Sequence, residues 1–132
     1  MIIAIDFDGT IVEHQYPLIG KPLPNVFFVL RELQEEGYRL VLWTYRTGKE
    51  LEEAIRFCSA NGVEFFAVNK SYPEELFEST SAASRKINAD LFIDDRNIGG
   101  LPPWKEIYKT ISGKELGKDV PRGSFLTSLF KK

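Results

Sequence analysis

An unbroken apolar run, Ile2-Ile3-Ala4-Ile5, passes directly into Asp6-Phe7-Asp8-Gly9-Thr10. A short run without polar alternation fits a strand covered on both faces, as strands of parallel sheets are. Two carboxylates at i and i+2 on an extended segment share a side, and Gly9 lets the chain turn just beyond them. Both acids then face one pocket at the carboxyl end of the strand. A carboxylate can attack phosphorus and split one hard hydrolysis into two easier steps. A second carboxyl can protonate the leaving oxygen and later take a proton from water. A bare Asp-x-Asp also occurs where acids merely cap a strand. The apolar run before it and the Gly-Thr after it favour the chemical reading.

Working outward, short apolar runs alternate with longer helical patterns, the signature of an α/β fold with a parallel sheet. The spacing of Val26, Phe27, Leu30 and Leu33 predicts a helix over Pro24 to Glu36, stopped by Gly37. A second strand is expected from Arg39 to Thr44. Lys49 to Asn61 predicts a helix closed by Gly62. Val63 to Val68 predicts a third strand, Pro73 to about Ser81 a short helix, and Ala89 to Ile93 a fourth strand. Trp104 to Ile111 predicts a last helix, after Pro102-Pro103. One domain is expected over 1–132, with a motif-bearing core of about 1–111 and a tail of about 112–132.

Ligands of open α/β sheets sit beyond the carboxyl ends of the strands. Each expected strand delivers polar residues there: Asp6 and Asp8, then Thr44 and Arg46, then Asn69 and Lys70, then Asp94, Asp95, Arg96 and Asn97. Hard cations such as Mg2+ want oxygen ligands, so Asp94 and Asp95, joined to Asp6 from another strand end, become candidate metal ligands. Thr44, with Tyr45 beside it, is a candidate phosphate binder, although Thr44 or Thr47 would also serve as a helix N-cap. Several carboxylates facing a phosphate dianion need Mg2+ and a cationic side chain. Lys86 fits that need, and Arg85 is its rival.

Bulk properties set bounds on these expectations. The chain has 132 residues, 43% hydrophobic and 27% charged, with a formal charge of −2. Nothing in that balance provides a global basic field for nucleic acid. Cys58 is the only cysteine, which excludes an intrachain disulfide and fits a reducing, cytoplasmic setting. No apolar run is long enough for a membrane helix, so no membrane partner is expected. The opening apolar run has no basic segment before it and meets Asp6 and Asp8 at once, unlike a signal peptide.

From Ile2 to Asn97 these pieces, in this order, resemble the four motifs of the haloacid dehalogenase superfamily. The resemblance implies a Rossmann-like three-layer α/β/α sandwich with a mostly parallel sheet of strand order 5-4-1-2-3. It implies that Asp6 is the nucleophile and a metal ligand. Asp8 would be the general acid/base, with its backbone carbonyl on Mg2+. Thr44 matches the phosphate-binding hydroxyl and Lys86 the motif lysine. Asp94 matches the metal-binding acid, and Asp95 a second ligand, direct or through water. An acid at position 8 points within the superfamily to phosphatases and phosphomutases. The stretches from Ile11 to Pro24 and from Asn69 to Arg85 are too short for cap domains, so a capless member is expected, with the fifth strand undefined.

The resulting expectation is a Mg2+-dependent phosphomonoesterase working through an aspartyl-phosphate. Its substrate is a phosphorylated small molecule or macromolecule. The alternatives are a phosphotransferase or mutase, disfavoured by the missing cap, and a non-catalytic binding protein, disfavoured by the complete acid set. Arg46, Lys70 and Arg96, with Lys21, Arg85 and Tyr45, are expected to form a charged rim around an open site. His14 and Tyr16 fall in the loop after the first motif. Phe125, Leu126, Leu129 and Phe130 make the tail apolar. They are expected either to pack on the sheet edge or to bury against a second subunit of a homo-oligomer.

Overall fold

Ile3, Ala4 and Ile5 are wholly buried, and the strand they form is flanked on both sides. The computed structural model describes residues 1–75 and 87–117. Lys86, Arg85, the apolar tail residues and most of the short helix expected from Pro73 lie outside them. Strand β1 (Ile2–Ile5) pairs with β2 (Arg39–Leu42) on one side and β4 (Leu91–Ile93) on the other, and β3 (Ala67–Val68) pairs with β2. All pairs are parallel and the order is β3-β2-β1-β4. This matches the expected order apart from the fifth strand, which is absent among the described residues. From Asn97 the chain instead turns through Gly99 and Gly100, both at positive φ, and leads to a helix.

Alternation along β1 divides the core. Ile3 and Ile5 lie opposite Leu40 and Leu42 and join the main apolar cluster. That cluster takes in Leu30 and Leu33 of α1 (Val26–Glu35), Ala54 and Cys58 of α2 (Gly48–Ala60), and Trp104 and Ile107 of α3 (Trp104–Ser112). Ala4 lies opposite Val41, which meets Ala67 and Ile87 in a smaller cluster with Ile2 and Phe92 alongside. Burying two faces at once explains why these strands carry no polar alternation. The fold is an α/β, Rossmann-like one with a parallel sheet and no cap among the described residues. The stretch after the first motif folds back on itself through isolated bridges, Asp8 to Val12 and Val12 to Pro22.

Element ends differ from expectation for local reasons. β3 is shorter than the Val63–Val68 run because the start of that run bonds elsewhere. The Val63 N–H goes to the Cys58 carbonyl (3.0 Å), and the Glu64 N–H to Gln34 Oε1 (2.8 Å). Val63 is apolar because it packs in the main cluster, not because it is paired in the sheet. β4 starts after Asp90, whose carboxylate accepts from the Ile2 N–H at 2.7 Å and so replaces a ladder bond. β2 ends at Leu42, although the Trp43 N–H still reaches the Ile5 carbonyl (2.8 Å).

Trp104 ties the last helix to the loop after β1. Its ring is 2% exposed, and its Nε1–H donates to the Thr10 carbonyl at 2.9 Å. Leaving a buried carbonyl without its donor costs about 1–3 kcal/mol. Trp104→Phe keeps an aromatic ring and loses the donor, so urea unfolding should show a loss of about that size, with added cost from the smaller ring.

Candidate active site

Parallel pairing brings the acids together. Ile5 is in register with Ile93, so Asp6 and Asp94 leave adjacent strands side by side, and the Asp6 N–H still bonds the Ile93 carbonyl at 3.0 Å. Asp6, Asp94 and Asp95 each offer a carboxylate oxygen, and these oxygens lie within 4.8 Å of one another. Asp94 is held in a turn in which its Oδ1 accepts from the Arg96 N–H (3.0 Å). Asp95 is held from the other side by Thr10. The Asp95 N–H donates to Thr10 Oγ1 at 3.0 Å, and the single hydroxyl proton has two carboxylate acceptors, Asp6 Oδ2 at 3.1 Å and Asp95 Oδ1 at 3.4 Å. Thr10 is completely buried.

Gly9 is required here twice over. Its φ is +86°, and a Cβ would stand 2.3 Å from Asp95 Oδ2. Any other residue would force the Asp95 carboxylate out of its place.

Burial, and next the negative charge of Asp94, push the Asp6 carboxyl up to about 7. Asp95 adds in the same direction, while the Thr10 hydroxyl and the Phe7 backbone act against it. A carboxylate crowded by two others is what a hard cation would relieve. Ligands around an octahedral Mg2+ at ~2.1 Å stand roughly 3–4 Å apart, so this cluster would need only a small contraction to hold one. The all-oxygen donor set fits that ion.

Asp8 is placed differently. Both its oxygens are taken by Arg46, Nε to Oδ2 and an NH2 hydrogen to Oδ1, each at 2.8 Å. The same guanidinium donates to the carbonyls of Leu18 (2.8 Å), Pro17 (3.2 Å) and Glu50 (3.3 Å). It lies over the rings of Phe7 and Tyr16, 5.0 and 5.1 Å from their centres. Arg46 is 1% exposed. This corrects its expected place on the solvent rim: the side chain turns inward because Asp8 and three carbonyls take up its donors.

A cleft of about 340 Å³ opens over Asp6, Asp8 and Asp94, with Thr44, Tyr45, His14, Tyr16 and Arg96 around it and Arg46 at its wall. An adjoining hollow extends from Asp6 past Thr44 to Trp43. Thr44 is fixed by its N–H on Asn69 Oδ1 (2.8 Å), and its Oγ1 accepts from the Arg46 N–H (3.1 Å). Its hydroxyl proton is thereby left to donate. Asn69 holds this post in a left-handed conformation, φ 54°. Tyr45 is 95% exposed at the mouth. Arg96 lines both hollows, in keeping with a rim position, whereas Lys70 and Lys21 line neither.

Sequence reasoning missed Thr10, Trp43 and the inward turn of Arg46. Thr10 stood inside the decisive motif without a role. Arg46 sits in the polar stretch Tyr45 to Lys49, where nothing signals burial.

No family model and no curated protein matches this chain. A solved structure of a conserved protein coded by a locus of Bacteroides thetaiotaomicron is similar to it, with 54% identity and a TM-score of 0.78. The match covers 87% of this chain and 92% of that one. The chain belongs to the same family as that protein. Among the described residues, no helix is long and apolar enough to cross a membrane.

The raised Asp6 pKa has a consequence for the metal-free protein. The folded state holds this proton more tightly than the unfolded chain does, whose ordinary value is 3.8. The stabilisation is therefore complete below about pH 4 and lost as pH rises through about 7. Asp6 is partly exposed, so screening reduces the effect to on the order of 1–2 kcal/mol. Melting in chelator should show the wild type losing stability between about pH 4 and pH 7, and Asp6→Asn losing less over that range.

Proposed function

We propose that this chain is a Mg2+-dependent phosphohydrolase, a phosphomonoesterase of the haloacid dehalogenase type with Asp6 as nucleophile. The observation that carries this reading is the convergence of Asp6, Asp94 and Asp95 from adjacent parallel strand ends at an open cleft that Thr44 also lines. A structural acid cluster has no need of an open cleft with a threonine on its wall.

Asp6, Asp94 and Asp95 would hold the ion, with the Asp8 backbone carbonyl as a further ligand. Mg2+ would neutralise the carboxylates and the phosphate oxygens, and so admit a dianion to an acidic site. An Asp6 oxygen attacks phosphorus, and the bond to the leaving oxygen breaks as Asp8, carrying a proton at this point on a lone pair that Arg46 leaves open, passes it to that oxygen. Asp8 then takes a proton from water, which attacks the aspartyl-phosphate and returns Asp6 to its starting form. The Thr44 hydroxyl donates to a phosphoryl oxygen. Arg96 adds positive charge at the entrance, and the motif resemblance assigns the cation shared by nucleophile and phosphate to Lys86, with Arg85 as its rival. With no cap among the described residues, the cleft takes leaving groups of any size that the Tyr45 and Tyr16 side tolerates, so small phosphate esters and phosphorylated macromolecules are both in range.

A panel of phosphate esters with Mg2+ tests the reading, including nucleotides, sugar phosphates and 3′-phosphorylated oligonucleotides. Phosphate release should require Mg2+, stop in excess chelator and return when Mg2+ is restored. Asp6→Asn should fall to background with its circular dichroism unchanged. Full activity in chelator, or substantial turnover by Asp6→Asn, would contradict the proposal.

A further inference from the structure

We infer that Arg46 is a positioning residue for Asp8, locking its carboxylate and the loop over the cleft into one unit. The inference rests on the phosphohydrolase reading and extends it to a residue that makes no contact with the reacting atoms. A guanidinium has five N–H groups. In Arg46 every one is engaged: two on the Asp8 oxygens, one each on the Pro17 and Leu18 carbonyls, and one on the Glu50 carbonyl at the start of α2. The rings of Phe7, between the two motif acids, and Tyr16, from the loop, both lie against the guanidinium. One side chain therefore joins Asp8 to the loop that carries His14 and Tyr16 into the cleft.

Stability alone is a weak reason for such a residue. A buried ion pair seldom outperforms apolar side chains of the same volume, because desolvation cancels most of its attraction. Its worth lies in geometry. A planar fork fixes both carboxylate oxygens, which a lysine cannot do. Proton transfer to a leaving oxygen demands that the carboxyl stand within hydrogen-bond reach at the moment the bond breaks. Displacement by about 1 Å can cost ~10²-fold in rate.

Arg46→Lys keeps the charge and loses the fork. It should lower kcat on an alkyl phosphate by about 10–100-fold with KM within about 3-fold. The loss on an aryl phosphate should be smaller, because an aryl oxide leaves with less help. The Mg2+ concentration giving half activity should not move, since Arg46 touches none of Asp6, Asp94 and Asp95. The decisive arm is a double-mutant cycle with Asp8→Asn on the aryl ester, where that variant should retain measurable turnover. If Arg46 acts through Asp8, the two losses do not add. Additive losses, a shift in KM alone, or a changed Mg2+ requirement would overturn the inference while leaving the phosphohydrolase reading in place. A wild type inactive on every ester with Mg2+ would remove that reading and this inference with it. Should Arg46→Lys fail to fold, Tyr16→Leu decides, because it removes only a half-exposed ring that lies against Arg46. A loss of turnover that vanishes in the Asp8→Asn background supports the inference, and an additive loss or none overturns it.

Discussion

β1 and β4 run side by side in the same direction, so the carboxylates that follow them must leave the sheet at the same edge. The register of Ile5 with Ile93 makes that meeting close, and Asp6, Asp94 and Asp95 end within 4.8 Å of one another. Partial burial penalises the charge on Asp6, and repulsion from Asp94 deepens the penalty, which is why the Asp6 carboxyl moves to about 7. Much of the surrounding structure holds this unfavourable arrangement in place. Thr10 bridges Asp6 and Asp95, Trp104 anchors the Thr10 carbonyl from α3, and Gly9 leaves space for Asp95. The apolar core behind β1 provides the rigidity against which the repulsion is borne.

The other motif acid is handled in the opposite way. Asp8 is fully compensated by Arg46, so its charge does not add to the crowding around Asp6. The two acids differ by one intervening residue and have contrasting surroundings. One is crowded by carboxylates and suits a metal ion, and the other is fixed by a fork of hydrogen bonds and suits a positioned acid/base. Environments that separate two carboxylates in this manner are a mark of acid/base division of labour.

Much of this was legible in the sequence because β1 is buried on both faces. Ile2 to Ile5 had to be apolar throughout, and any acid immediately after had to sit at a strand end. The same logic placed Thr44 and Asp94. Val63 misled because an apolar residue can be buried by packing on a helix as well as by a sheet, and periodicity does not separate the two. Arg46 misled because a charged residue in a polar loop is usually solvated, and only the tertiary meeting of Asp8 with the Pro17 and Leu18 carbonyls draws it inward. The support from Trp104 spans 94 residues of sequence and leaves no local signal.

The most direct test of the central claim is to look for the covalent intermediate on the crowded carboxylate. The protein is mixed with Mg2+ and an aryl phosphate, quenched in acid during turnover, digested and examined by mass spectrometry. The account predicts a phosphoryl group on the peptide bearing Asp6, labile to hydroxylamine as an acyl phosphate is, and absent from Asp6→Asn. Steady phosphate release with no adduct, or an adduct that persists in Asp6→Asn, would contradict it.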